Sequence, residues 1–208
     1  MFRSSVAAVF RRPAPAPIPA TVTAPASVIE IHRSRVQVRQ VRAEDRRWLP
    51  ELADLLVDGV HHGASLGFLA PMSRHAALDY WEQVYASLGP KQALWIALES
   101  DDGPLQGCLQ FTGCAQAHHR GELRQLMVHS RSRGRGIATQ LLNRAECTVR
   151  DLGRTLLVLE TPADSQAEAV FAHLDWQRAG EIPDFSACAE GRLHASAMYY
   201  KRLELASS

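Results

Sequence analysis

Residues Arg131 to Gly136 (RSRGRG) join a short apolar strand to an amphipathic helix, and their types suit the binding of phosphate. Gly134 and Gly136 carry no Cβ, so an anion can approach the backbone closely. The first-turn N–H groups of the helix that follows have no intrahelical partner. They lie at the positive end of the helix dipole, where phosphate is favoured. Arg131, Arg133 and Arg135 add positive charge around the same turn. Two carboxylates, Glu122 before this strand's apolar run and Glu160 at the end of the next strand, are candidates for moving a proton.

The elements that must position these groups are readable from their periodicity. Leu126, Met127 and Val128 form the apolar run of a strand over Arg124 to Val128 that ends at His129. Ile137, Leu141, Leu142, Ala145, Val149 and Leu152 recur at steps of three and four, the helical period. Gly153 stands where a C-cap glycine belongs. The glycine pattern lacks the third glycine of a dinucleotide fingerprint, and the turn has no Gly-Lys-Ser/Thr of a P-loop.

Arg131-x-x-Gly134-x-Gly136, followed by Ile137 and Ala138, resembles the acyl-CoA signature Q/R-x-x-G-x-G/A of the GNAT N-acetyltransferase superfamily. The strand LLVLE at Leu156 to Glu160 and AEAVFAHLDW at Ala167 to Trp176 extend the likeness, the latter where the superfamily has a pattern like AxxLYxxLGF. GASLGFLAP from Gly63, GEIPDF from Gly180 and GRLHASAMYYK from Gly191 look like the tabtoxin-resistance-type branch. The resemblance covers residues 36 to 204. It implies acetyl-CoA as cosubstrate and no metal. The diphosphate would then sit on Arg131, Arg133, Gly134, Arg135, Gly136, Ile137 and Ala138. Pantetheine would lie between a splayed fourth and fifth strand, against the backbone of Leu126, Met127 and Val128. The loop holding Ser65 and Phe68 would wall the acceptor pocket.

Acetylation of an amine requires the amine to lose a proton. A lysine-like amine has a pKa near 10.4, so supplying its neutral form at pH 7 costs roughly 4–5 kcal/mol. A general base is therefore useful, with Glu122 the first candidate and Glu160 the second candidate or a substrate anchor. His129 reads as a cap at the turn. One departure bears on the chemistry: Phe171 stands where the family motif carries the tyrosine that protonates the departing thiolate, and Asp175 replaces the motif's glycine. Three alternatives remain for that proton: water, Tyr199 or Tyr200, or slow turnover.

The expected activity is transfer of an acetyl group to a primary amine of a small molecule, such as a toxin, antibiotic or amino-acid-like metabolite. Acetylation of a protein N-terminus or lysine is the alternative among enzymes, and a noncatalytic acyl-CoA sensor the alternative outside them. A net charge of +1 argues against nucleic acid as partner. No apolar run reaches membrane-spanning length. Four cysteines without a C-x-x-C pair, and the adjacent pairs His61-His62 and His118-His119, suggest no metal site. The expected setting is cytoplasmic, with room for a homodimer.

Residues 1–35 are rich in Pro, Ala and Arg and are expected to be a disordered extension, with a mitochondrial transit peptide as the alternative. Residues 36–205 are expected to form the acetyltransferase domain. Its elements should be a strand over Arg35–Val41, a helix over Glu44–Val60 and a helix capped by Ser73 that ends before Gly89-Pro90. A hairpin of Ala93–Glu99 and Leu105–Cys114 should follow, and then the central strand–turn–helix. The strand at Leu156, a helix over Ser165–Leu174 and two closing strands complete an α/β fold. Its sheet would be mixed, mostly antiparallel, with about seven strands and about four helices.

Overall fold

The computed structural model describes residues 36–204, so the expected N-terminal extension lies outside the described residues. Seven strands form one sheet: β1 (Gln37–Gln40), β2 (Gln92–Leu98), β3 (Leu105–Gly113), β4 (Arg120–Val128), β5 (Leu156–Pro162), β6 (Gln177–Ala187) and β7 (Leu193–Arg202). Their order is β1-β2-β3-β4-β5-β7-β6. All neighbours are antiparallel except β4 and β5, which run parallel from Arg120↔Leu156 to Leu123↔Leu159. Among the described residues four α-helices accompany the sheet: α1 (Leu49–His61), α2 (Arg74–Ser87), α3 (Ile137–Asp151) and α4 (Gln166–His173).

The helical stripes dictate the layers. Leu49, Leu52, Leu55, Leu56 and Val60 of α1 are all buried, and with α2 they cover Leu94, Ile96 and Leu98 of β2 on one face. On the other face Ile137, Leu141, Leu142, Ala145 and Val149 of α3 pack on Leu109, Phe111, Leu123 and Leu157. Burial of each such leucine, isoleucine, valine or phenylalanine side chain contributes about 1.5–3 kcal/mol. Leu152 is a correction to the expected stripe: it is 61% exposed. It follows the last turn of α3, and Gly153 at φ +76 then turns the chain away.

Some boundaries also shift. The first helix starts at Leu49, after a 3-10 turn over Arg46–Trp48, because Pro50 is accommodated only in a first turn, where its missing N–H costs nothing. Ser73 caps α2 as expected, its hydroxyl accepting from the Ala76 N–H at 3.1 Å. The strand before the glycine turn begins at Arg120, four residues before its expected start at Arg124. Asp175 adopts φ +60, a left-handed conformation that aspartate tolerates better than most residues, which accounts for a motif that otherwise carries glycine there.

Candidate functional site

One irregularity in β4 creates the site. Gln110 pairs with Arg124 and Cys108 with Met127, so β4 holds one extra residue, and Gln125 lies at φ +50. Such a bulge bends its strand. Beyond Leu123 and Leu159 the parallel pairing of β4 with β5 stops, and the strands part.

A cavity of about 670 Å³ opens at this gap. Leu126, Met127 and Val128 line it from β4, and Thr161 and Pro162 from β5. Arg133, Gly134, Gly136, Ile137 and Ala138 close one end. Gly134 and Gly136 have φ +74 and +75, and a Cβ at either would meet nothing within 4 Å, so the cradle is open. Gly136 is the N-cap of α3, and no side chain caps that helix end. The first-turn amides of α3 are thus presented to the cavity at the positive end of the dipole, an arrangement that fits a diphosphate. The three arginines diverge. Arg133 lines the cavity, while Arg131 and Arg135 are not among its lining residues. Arg131 approaches His129, and Arg135 lies 4.0 Å from Glu99.

The base of this turn is fixed from α1. Asp58 accepts from the Ser130 amide at 2.7 Å and from its hydroxyl at 2.8 Å. Burial alone would raise the Asp58 pKa. The two Ser130 donors, with His129 and His62 nearby, outweigh it and hold the carboxyl below the ordinary range. His129 Nδ1 accepts from the Arg131 N–H at 3.3 Å, the capping role expected of it.

Both candidate carboxylates lie on the sheet face opposite α3 and line one smaller cavity of about 210 Å³. Glu122 has its Oε1 3.5 Å from Arg124 Nε and is 44% exposed. Glu160 is held more firmly: its Oε1 accepts from Ser196 at 2.8 Å and also from Ser186. Ser65 lines both cavities, and its hydroxyl stands 3.0 Å from His194 Nε2. Phe68 lies elsewhere, stacked edge-on against Tyr80 at 5.0 Å in a third cavity of about 400 Å³.

Phe171 is 3% exposed and lines the two cavities where they meet. Its ring packs on Trp176 and Tyr199, with centroids 6.1 and 5.6 Å away. Tyr199 and Tyr200 are not among the residues lining either cavity. Burial and the Glu168 carboxylate push the Tyr199 phenol up. Tyr200 donates to Gln177.

Sequence reasoning missed several residues. Gln125 carries no signal in its type, because a bulge is set by pairing. Asp58 and Ser130 are 72 positions apart, beyond any local pattern. Ser186 and Ser196, which hold Glu160, come from strands that read only as generic β. Among the described residues no group of three or more His, Cys, Asp or Glu could hold a metal ion, and no helix is long and apolar enough to cross a membrane.

Comparison with known proteins identifies the family and the fold. The family described as Acetyltransferase (GNAT) matches residues 47–176. Among solved structures, a provisionally assigned acetyltransferase from Salmonella typhimurium with its cofactor acetyl-CoA is 17% identical, with a TM-score of 0.65 over 84% of this chain and 98% of that one. A ribosomal-protein-alanine N-acetyltransferase from Brucella melitensis is 18% identical, with a TM-score of 0.66 over 80% and 99%. A provisionally assigned phosphinothricin N-acetyltransferase is 15% identical, with a TM-score of 0.67 over 82% and 99%.

Proposed function

Given that the chain belongs to the GNAT acetyltransferase family, we propose that it moves the acetyl group of acetyl-CoA onto the primary amine of a small molecule. The observation that carries this reading is the meeting of two cavities at Phe171 and Leu126. One runs to the uncapped start of α3, and the other holds Glu122 and Glu160.

Acetyl-CoA would supply an acyl group activated as a thioester. Gly134, Gly136, Ile137 and Ala138 would hold its diphosphate through backbone N–H groups, with Arg133 adding charge. The backbone of Leu126 and Val128, freed from β5 by the splay, would hydrogen-bond pantetheine. The amine nitrogen forms the new C–N bond as the C–S bond breaks. Glu122 takes the amine's proton, directly or through water, and the thiolate takes one from water. Phe171 has no proton to give. Glu160, fixed by two serine hydroxyls, orients the incoming ammonium.

Family likeness alone leaves the acceptor open, since similar structures carry both small-molecule and ribosomal-protein names. The small-molecule reading is supported by the acidic cavity, whose volume of about 210 Å³ beside Ser65, Leu66 and Gly67 suits a small amine. Thiol release from acetyl-CoA with a panel of amines tests it. Release that depends on a small primary amine supports the reading. Saturable binding with no release under any amine would leave a sensor in its place.

A further inference from the structure

The charges along the acceptor side are graded. Glu122 and Glu160 line the cavity next to the thioester end, and Arg124 borders it. The neighbouring cavity of about 400 Å³ shares Leu66, Gly67, Arg124 and Gln125 with it, so the two adjoin. Among the described residues lining this outer cavity, Arg124 is the one charged side chain. The rest are neutral, several of them polar, including Tyr80, Gln110 and Thr112. An acceptor lying across the border thus meets carboxylates at its amine end and a guanidinium a few bonds further on.

Arg124 has donors to spare. Its contact with Glu122 is made through Nε at 3.5 Å, and the two terminal nitrogens carry four more N–H groups in a planar fork. That fork matches a carboxylate bidentately. Tyr80 extends the donor set. Gln110 Nε2 donates to its hydroxyl at 2.8 Å, and burial raises its pKa, so the phenol keeps a proton to give. Gln125 Oε1 is buried at the border with no hydrogen-bond partner, while its Nε2 donates to the Leu66 carbonyl at 3.1 Å.

We infer that the acceptor is a free amino acid or close analogue, its ammonium held between Glu122 and Glu160 and its carboxylate gripped by Arg124. This rests on the transferase reading above. It disfavours a protein N-terminus, whose α-carboxyl is tied up in a peptide bond.

Matched acceptors test it: α-amino acids, β-alanine and γ-aminobutyrate, each against its own carboxamide, read by thiol release. The carboxamide forfeits the charge-assisted bidentate pair, so kcat/KM should favour the best carboxylate over its amide by roughly 10- to 100-fold. Arg124→Gln should bring that ratio to about one, and Arg124→Lys should restore part of it. Release from carboxylate and carboxamide alike in the native chain overturns this inference and leaves the transferase reading intact. Equal losses on both acceptors in Arg124→Gln, with the ratio preserved, would show that Arg124 only holds Glu122, and would also overturn it. Absence of release with every acceptor overturns both readings.

Discussion

Asp58 of α1 and Ser130 at the glycine turn are joined by two hydrogen bonds, from amide and hydroxyl to one carboxylate, at 2.7 and 2.8 Å. Through them α1, which contributes Gly59 to the wall of the larger cavity, also fixes the origin of the phosphate cradle. Asp58→Ala leaves both donors unpaired in a part-buried setting and should destabilise the fold by roughly 2–4 kcal/mol. Because the folded carboxyl lies below its ordinary value of 3.8, the stabilisation is fully present above that pH and fades as pH falls through the lower folded value. Urea unfolding of both proteins should show a constant gap above about pH 5 that narrows in stronger acid. A gap that widens on acidification would contradict the assignment.

Glu122→Gln keeps the side chain's size and removes its basicity. Turnover at neutral pH should fall about 100-fold or more, while acetyl-CoA affinity stays within about twofold. The acidic limb of the pH–rate profile should change with it. An unaltered profile would move the base role to Glu160, whose own Gln variant is the control.

Phe171→Tyr restores a hydroxyl where the two cavities meet. The ring is nearly fully buried but faces open space on the site side, so stability should change by less than about 1.5 kcal/mol. If release of the thiolate limits turnover, kcat should rise about tenfold or more. An unchanged kcat would show that water already serves.

Gly121 precedes Glu122 at the start of the parallel pair, and a Cβ there would lie 2.0 Å from Phe111 Cε2. Gly121→Ala should therefore cost about 1–3 kcal/mol through forced repacking of Phe111. Thermal unfolding measures this directly, and an unshifted midpoint would mean that the β3–β4 core yields freely.

Legibility in the sequence followed the range of the interactions. The stripe of α1, the Ser73 cap and the Gly134–Gly136 turn are local patterns, and each stands where its residues indicate. The start expected at Glu44 for the first helix and the placing of Leu152 on the stripe mark where periodicity failed, because it does not reveal where a turn stops. The splay of β4 from β5 is a matter of register. Gln125 carries its positive φ without the glycine that would have announced it. The separate directions of Arg131, Arg133 and Arg135 were equally hidden, since charge near a motif does not say which guanidinium faces inward.

Titration calorimetry of acetyl-CoA on the full chain, beside Gly134→Asp, tests the diphosphate cradle most directly. At φ +74 aspartate at position 134 meets no clash but carries backbone strain of about 1–2 kcal/mol, so thermal unfolding of the variant is the control for its fold. Its carboxylate would stand where the diphosphate belongs. The native chain should bind with saturable heat near one equivalent, and Gly134→Asp should lose about 100-fold in affinity or more, a cost near 2.8 kcal/mol. No heat from the native chain, or equal affinity in the two proteins, would contradict the cradle.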